Sequence, residues 1–288
     1  MQTADQRSSK FAYRTISLAI AAVVLFVASG FAQSPHVAFI TGDDEYRSEH
    51  SMPMIAKILE SKHGMRTSIA YAKPTPQSNK NIEGLEALKT ADLAVFYLRW
   101  RELPADQLKL ILDYVESGKP IVGLRTTTHS FQYPEGSPHA NSNDGFGIDV
   151  MGQKWIHHHG HFSSTDVRTI PEQAVHPVLR GVRTPFHVRS WLYVVDPLHG
   201  DSQPLLMGQA ISPQNKIDHG PQPVAWTKTY KGGRVFFTTL GHPEDFHLEA
   251  VRRLLINGIY WALGLEVPSG GADASIVGEY DPPASGTK

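Results

Sequence analysis

Four histidines stand within five positions in the segment Trp155-Ile-His-His-His-Gly-His161. Alternate side chains of an extended strand point to one face, so His157, His159 and His161 are predicted to share a face. Three imidazoles arranged in this way suit a divalent metal ion. Ligand binding by hydrogen bonds, acid/base roles for His159 and His161, and a solvated loop without a function are the alternatives. The segment therefore leaves a divalent metal open as a cofactor.

Another histidine stands between a glycine and a proline in Gly241-His-Pro-Glu-Asp245, directly after an apolar stretch. These two neighbours fix the backbone of His242, and the carboxylates beside it favour proton transfer, so we expect His242 to act as a general acid or base. Glu244 is expected to bind substrate. The two carboxylates equally suit the start of the final helix, whose dipole they would complement.

Arg125 opens the segment Arg125-Thr-Thr-Thr-His129, which follows the apolar run ending at Leu124 without a break. Many α/β enzymes hold a nucleophile on such a turn from strand to helix. Neither Arg125 nor Thr126 is a nucleophile without an adjacent base, so we expect Arg125 to serve catalysis by holding an oxyanion or a hydroxyl group. Thr126 and His129 are predicted to bind substrate. Capping of a helix by the threonines is the alternative.

The loop after the first apolar run carries further polar side chains. Asp44, Arg47 and His50 follow the run closely and would reach the same cleft as Arg125. We therefore predict that these three residues bind substrate. For part of the loop, capping of the next helix by a serine or glutamate is the alternative.

The elements that must position these residues alternate between strand and helix over the first half of the chain. This rhythm predicts an α/β fold with a mostly parallel, doubly wound sheet, in which ligands bind at the carboxyl ends of the strands. From residue 166 onward the pattern favours an antiparallel extension. The predicted strands are 36–42, 67–72, 92–98, 120–124, 166–169, 191–195, 205–209, 224–230 and 233–239, and the predicted helices are 50–63, 82–88, 103–118 and 248–263.

Residues 1–32 have the order of a secretory signal: a stretch with three basic residues, an apolar run over 16–27, and then small residues. The run is shorter than the roughly 20 apolar residues that cross a bilayer. Cleavage near Gly30 or Ala32 is therefore expected, which leaves a periplasmic or secreted domain over 35–265 without a stable membrane span. An uncleaved segment that anchors the domain in the membrane is the alternative.

The composition narrows the chemistry and the partners. The chain has no cysteine, which excludes disulfides, thiolate metal sites, a cysteine nucleophile and a lipid-modified cysteine. Its 27 basic and 28 acidic residues include no basic run, so nucleic acid is not expected as a partner. Residues 266–288 are rich in Gly, Ser, Pro and Ala and poor in apolar side chains, which predicts a disordered tail.

Several blocks of the sequence resemble the ThuA-like family, named for trehalose utilisation, whose fold is similar to that of the class I glutamine amidotransferases. The resemblance spans nearly the whole domain and is strongest towards its end. It implies a flavodoxin-like or class I glutamine amidotransferase-like fold. It is carried by Phe39-Ile-Thr-Gly-Asp43, Gly123-Leu-Arg-Thr-Thr127, Trp155-Ile-His-His-His-Gly160, His176-Pro-Val-Leu179, Pro223-Val-Ala-Trp226, 232–242 and 255–264.

The resemblance also bears on the chemistry. In the amidotransferases a catalytic cysteine occupies the turn where this chain has Arg125, so glutamine hydrolysis by that route is excluded in a chain without cysteine. The family is associated with the catabolism of carbohydrates, oxidised (keto) sugars among them, which implies a small carbohydrate as the ligand. Threonines and aspartates for its hydroxyl groups, stacking on Trp155, and histidines for proton transfer would suit such a ligand.

Three hypotheses follow for the function. The first is an enzyme of carbohydrate catabolism, a hydrolase, lyase or isomerase, that acts on a small sugar or keto-sugar through His242 or a histidine of the 157–161 cluster. The second is a non-catalytic, extracytoplasmic sugar-binding module, and the third is a metal-dependent hydrolase. The sequence leaves open the substrate and the assembly of the chain into a homo-oligomer.

Overall fold

The apolar runs of the sequence form strands in the computed structural model, which describes residues 34–160, 163–212 and 220–286. The signal segment predicted over residues 1–32 lies outside the described residues. Within the described ranges, no helix is both long enough and apolar enough to span a membrane. The helices are α1 (Ser48–His63), α2 (Ala105–Glu116), α3 (Ser142–Gly145) and α4 (Glu249–Ala262). The strands are β1 (His36–Gly42), β2 (Arg66–Ala72), β3 (Ile82–Glu83), β4 (Leu93–Leu98), β5 (Ile121–Leu124), β6 (His157–His158), β7 (Ser164–Thr169), β8 (Phe186–Val188), β9 (Tyr193–Val194), β10 (Gln203–Ile211), β11 (Gln222–Tyr230) and β12 (Gly233–Thr238).

Ten of these strands, counted over the described residues, form one sheet in the order β3-β2-β1-β4-β5-β12-β11-β10-β7-β8. The five strands β2, β1, β4, β5 and β12 are parallel to one another. Strands β11, β10, β7 and β8 extend this parallel core in antiparallel order, and β6 pairs with β9 in a separate ribbon. The predicted α/β class, a parallel sheet with an antiparallel extension, is confirmed.

The order of the strands reverses between β1 and β4. Strand β2 lies on one side of β1, whereas β4 and β5 lie on the other side. In open α/β sheets, ligands bind in the crevice that forms outside the carboxyl ends of the strands at such a point. We call the carboxyl ends of β1, β4, β5 and β12, with the loops that follow them, the site edge.

Helices cover both faces of the sheet because its central strands are apolar on both faces. Adjacent residues of β1 show the division. Phe39 belongs to the buried cluster that contains Ile55 of α1 and Leu255 of α4, whereas Ile40 belongs to the cluster that contains Ile111 of α2. The strands are thus held firmly from both sides, and the loops at the site edge start from fixed positions.

The close contact between α4 and the sheet predicts a large effect of one added methyl group. A Cβ atom at Gly258 would lie 2.2 Å from Cδ1 of Phe236 in β12. We expect Gly258→Ala to lower the free energy of unfolding by about 1–3 kcal/mol, because the phenyl ring must move, although alanine is the better helix former. Gly270→Ala is the matched control, since nothing lies within 4 Å of its added Cβ. Urea denaturation of the two variants should separate them, and equal stabilities would contradict the packing argument.

Two short elements differ from the sequence-based expectation. The predicted helix 82–88 is strand β3 followed by a 3-10 turn, Leu85–Lys89. Gly84, between them, has a φ of 93°, which breaks the helix. The predicted strand 191–195 is reduced to β9. The carbonyl of Trp191 accepts a hydrogen bond from the side chain of Arg125, and that of Leu192 accepts one from the amide of His159, so neither pairs with a strand of the main sheet.

Residues 266–286 lie against the domain, in contrast to the disordered tail that the composition predicts for 266–288. Ala272 and Ala274 are buried. Asn257 of α4 accepts a hydrogen bond from the Ala272 amide (2.9 Å), and Nε of Arg252 donates one to the Ala274 carbonyl (2.7 Å). The segment is thus held through its backbone by polar side chains of α4. A count of apolar residues cannot detect such an attachment.

Candidate functional site

Three residues of the site edge have backbone conformations that L-amino acids rarely adopt. Arg47 (φ 55°), Trp100 (φ 49°) and Arg125 (φ 42°) follow β1, β4 and β5. They are three of the five non-glycine residues with positive φ in the part of the chain that the structure describes. Such a conformation costs on the order of 1–3 kcal/mol and is found mainly at active sites, ligand clamps and switches. The clustering therefore points to the site edge as functional.

Arg125 lies at the centre of this edge and is fully buried. Its guanidinium carbon lies 4.0 Å from the centre of the Tyr46 ring and 4.7 Å from that of Tyr193, so the charge is held between two aromatic faces. Nη1 donates to the carbonyl of Thr239 (3.0 Å). Nε and Nη2 have no hydrogen-bond partner among the described residues. Arg125 thus has two nitrogens without a hydrogen-bond partner in the described part of the chain, and its role in holding an oxyanion or a hydroxyl group stays a prediction.

His242 lies beyond Tyr46, with the two rings 6.0 Å apart. Its Nδ1 accepts a hydrogen bond from the Glu244 amide (3.2 Å), so the neutral ring carries its proton on Nε2. Nε2 is 3.1 Å from Oγ of Ser285. Burial lowers the pKa of His242 to about 3, with a further contribution from the charge of Arg125. At neutral pH, His242 is therefore an uncharged imidazole that presents an N–H donor.

Asp245 holds the turn that carries His242. Its buried carboxylate accepts hydrogen bonds from the amides of Gly241 (3.2 Å), His242 (3.1 Å) and Arg189 (2.8 Å) and from the hydroxyl group of Ser190. Burial raises the pKa of Asp245, and the hydrogen bond from Ser190 opposes this. Asp245 thus fixes the backbone of the turn. Its hydrogen bonds to described residues do not include one to the imidazole ring of His242, so the two groups do not share a proton directly.

Glu244, predicted to bind substrate, is the other carboxylate of this turn. Its side chain is exposed, and its amide is the group that fixes the tautomer of His242. The structure therefore shows a backbone contribution from Glu244, and substrate binding by its side chain stays a prediction.

His129 lies on the other side of Tyr193, in an aromatic environment. Its ring centre is 5.5 Å from that of Trp100, 5.4 Å from that of Trp155 and 6.3 Å from that of Tyr193. Nδ1 lies 3.0 Å from Oγ1 of Thr128. Burial lowers the pKa of His129 to about 3, as do the charges of Arg99 and Arg125. The predicted residues Arg125, His129, Trp155 and His242 therefore come together at the site edge through shared aromatic neighbours.

The histidine cluster does not show the shared face that was predicted. Strand β6 ends at His158, and His157 is exposed while His159 is fully buried. Nδ1 of His159 lies 3.2 Å from the carbonyl oxygen of Leu192. His161 lies outside the described residues. Among those that are described, no group of three histidines or carboxylates is arranged to hold a metal ion, and the metal site stays a prediction.

Asp43 also lies at the site edge, although it was not among the site residues predicted from the sequence. Its buried carboxylate accepts hydrogen bonds from Oγ1 of Thr126 (2.5 Å) and from the amides of Glu45 (2.9 Å) and Tyr46 (3.2 Å). It thereby joins the loop after β1 to the turn after β5, and it occupies the hydroxyl group of Thr126. Burial raises the pKa of Asp43 to about 6, against the opposing hydrogen bond from Thr126. The feature of the sequence that could have identified Asp43 is its position directly after a buried strand.

The raised pKa of Asp43 predicts a pH-dependent stability. Well below pH 3.8, the ordinary pKa of an aspartate, the carboxyl group is neutral in both the folded and the unfolded chain. As the pH rises towards 7, the unfolded chain loses this proton first, so the wild-type protein should lose up to about 3 kcal/mol of unfolding free energy relative to Asp43→Asn. Urea denaturation of both proteins at pH 4, 5, 6 and 7 would measure the difference. A difference that does not change with pH would contradict the prediction.

The three predicted substrate-binding residues of the first loop have separate surroundings. Asp44 pairs with Arg101, with 3.8 Å between Oδ1 and Nη2. Nε of Arg47 donates to the carbonyl of Ala284 (2.9 Å). His50 is exposed and lines a cavity of about 260 Å³ together with Asp43. Of the three, Arg47 is linked to His242, through a segment that contacts both residues.

Comparisons with known structures agree with this architecture. The chain is similar to a putative ThuA-like protein from Bacteroides uniformis ATCC 8492, with a TM-score of 0.57 and 19% identity over 85% of this chain and 98% of that chain. It is also similar to a putative ThuA-like protein from Parabacteroides merdae ATCC 43184, with a TM-score of 0.56 and 17% identity over 85% of this chain and 96% of that one. At these identities the likeness shows the fold, which is flavodoxin-like and class I glutamine amidotransferase-like.

Sequence comparison assigns the family. No curated protein matches the chain. The family model ThuA, described as trehalose utilisation, matches residues 36–262, the span that contains β1, α4 and the site edge between them. The resemblance noted in the sequence blocks is thereby confirmed, and the chain belongs to the ThuA family.

Proposed function

We propose that the protein is an extracytoplasmic enzyme of carbohydrate catabolism that acts on a small keto-sugar by acid/base chemistry. The carrying observation is the geometry at Tyr46, whose ring lies beside both a neutral His242 with its proton on Nε2 and the buried Arg125, two of whose nitrogens have no hydrogen-bond partner among the described residues. A neutral imidazole can polarise a carbonyl group without carrying a charge of its own. Donors fixed before the reaction stabilise the negative charge that develops on the oxygen.

This arrangement favours a reaction that passes through an enolate. Arg125 occupies the turn where a nucleophile would stand, and the chain has no cysteine to replace it. In an enzyme of this design a water molecule takes the proton next to the ketone while Nε2 of His242 donates a hydrogen bond to the ketone oxygen. This step suits a lyase or an isomerase, because both need a stabilised enolate oxygen. Trp100, His129 and Trp155 offer aromatic faces for the sugar ring.

Incubation with a panel of oxidised disaccharides in D₂O, with and without divalent metal, tests the proposal. Mass spectrometry should show product, or deuterium at the carbon next to the ketone when the enolate forms and returns. His242→Gln is the matched variant, because the amide keeps a donor but cannot transfer the proton. Unchanged sugars without deuterium, under both metal conditions, would exclude the proposal.

A non-catalytic sugar-binding module is the second candidate, favoured by the aromatic surface around His129 and by the lack of a nucleophile at Arg125. Calorimetry separates the two functions. A binding module should bind a sugar tightly, keep that affinity in His242→Ala, and show no deuterium incorporation.

The extracytoplasmic location rests on residues 1–32, whose basic, apolar and small-residue regions follow the order of a secretory signal. Amino-terminal sequencing of protein recovered from the periplasm or the medium should find a start just after Gly30 or Ala32. A start at Met1 in a membrane fraction would favour the anchored form.

A further inference from the structure

The last described residues cross the site edge. We call residues 281–286 the strap. It follows Tyr280, whose hydroxyl group donates to the carbonyl of Pro243 (2.9 Å). From there the strap runs over His242 to the loop after β1, where the Gly286 amide donates to the carbonyl of Glu45 (2.7 Å). It thus spans the turn of His242 and the loop of Arg47.

The attachment of the strap is weaker than that of the preceding segment. None of its six residues is buried, whereas Ala272 and Ala274 are. A cavity of about 310 Å³ separates α1 from residues 277–282. Segments held by a few exposed hydrogen bonds without buried apolar side chains open locally while the rest of the domain stays folded.

The contacts of the strap are those that an oxygen-bearing ligand would make. Because Nδ1 of His242 accepts a backbone hydrogen bond, Nε2 is the donor and Oγ of Ser285 accepts from it. Nε of Arg47 donates to the carbonyl oxygen of Ala284. Two oxygen atoms from consecutive residues of the strap, the Ala284 carbonyl and the Ser285 hydroxyl, therefore occupy donors at the site edge.

We propose that the strap occupies the ligand position of the site, so that the strap and a ligand with several oxygen atoms, such as a sugar, compete for His242 and Arg47. Only the identity of the ligand rests on the proposed function. The closed strap makes the site self-inhibited, and ligand binding requires the strap to open.

Chemical modification of His242 tests the strap without any sugar. Diethyl pyrocarbonate acylates neutral imidazole nitrogens, and peptide mass spectrometry gives the rate at each histidine. Removal of residues 281–288 should raise the rate at His242 at least about tenfold, which corresponds to about 1.4 kcal/mol. The rate at the exposed His187 should stay unchanged and serves as the internal reference. Equal rates at His242 in the full and the shortened chain would overturn the proposal.

Two serine variants test the strap in the full-length chain, where an effect of shortening on the fold cannot contribute. Ser285→Ala should raise the rate at His242 in the full chain, because diethyl pyrocarbonate reacts with an unprotonated nitrogen and, without the hydroxyl acceptor, the proton is no longer held on an occluded Nε2. Ser269→Ala, at an exposed serine outside the strap, should not. A rise in both variants, or in neither, would count against the strap.

An added oxidised (keto) disaccharide distinguishes this inference from the proposed function. It should slow the modification of His242 more in the shortened chain than in the full chain, because the strap no longer competes. If shortening accelerates modification but keto-sugars never slow it, the strap is supported and the assignment of a sugar as ligand is wrong.

Discussion

Replacement of His242 by alanine should lower kcat/KM for a keto-sugar by about 10²–10⁴-fold, the range expected when a positioned acid/base group is lost. In the proposed site, Nε2 of His242 donates a hydrogen bond to the ligand oxygen. A water molecule that replaced the ring would not be oriented in the same way, because the Glu244 amide and the turn fix the imidazole. Deuterium incorporation next to the ketone, followed by mass spectrometry, measures the loss. His242→Ala with wild-type incorporation would contradict the assignment.

The pH dependence of the rate gives a second readout for His242. Its pKa of about 3 keeps the imidazole neutral throughout the range from pH 5 to pH 8. We therefore expect the wild-type protein and His242→Gln to show the same dependence of kcat/KM on pH near pH 6.5. A step there that is lost in this variant would show that His242 titrates in the normal range and acts as a cation.

Replacement of Asp245 by alanine should lower the free energy of unfolding by about 3–5 kcal/mol, because several buried donors lose their acceptor together. The amides of Arg189, Gly241 and His242 all point to its carboxylate, as does the hydroxyl group of Ser190. Urea denaturation measures the change.

Two controls make the Asp245 prediction specific. Asp245→Asn keeps one acceptor oxygen and should cost less than Asp245→Ala. Glu135→Ala removes an exposed carboxylate and should change the stability by less than about 0.5 kcal/mol. A loss below about 1 kcal/mol in Asp245→Ala would mean that water replaces the carboxylate without penalty.

The sequence predicted the fold and the position of the site edge well, because both depend on local patterns. Short apolar runs such as Leu93–Leu98 are typical of buried strands, and parallel strands bring their carboxyl ends to one edge. Arg125 directly follows β5, and His242 lies in the turn after β12. Their proximity was therefore predictable without knowledge of a single side-chain contact.

The electrostatics of the site could not be predicted, because they depend on contacts between distant parts of the chain. Arg125 lies between Tyr46 and Tyr193, neither of which belongs to a recognisable motif. Asp43 meets Thr126 across 83 positions of sequence. The pKa of each group is set by these neighbours and by burial, and neither can be inferred from residue type or spacing.

The C-terminal segment shows a different limit. Its composition indicates disorder because it offers few apolar side chains to bury. In the structure, Arg252 and Asn257 attach its backbone with hydrogen bonds instead. Both residues belong to α4. The spacing of apolar residues shows which face of this helix packs on the sheet, but it does not show which polar residues hold another segment.

The three left-handed residues Arg47, Trp100 and Arg125 have a consequence for how the protein has been selected. At each position a glycine would relieve the backbone, so selection for stability alone would replace these residues. A protein needs only to stay above a threshold of stability, so large side chains can remain at such positions when their contacts or their function offset the cost. The site edge is then the place where the chain keeps two arginines and a tryptophan at the expense of backbone stability.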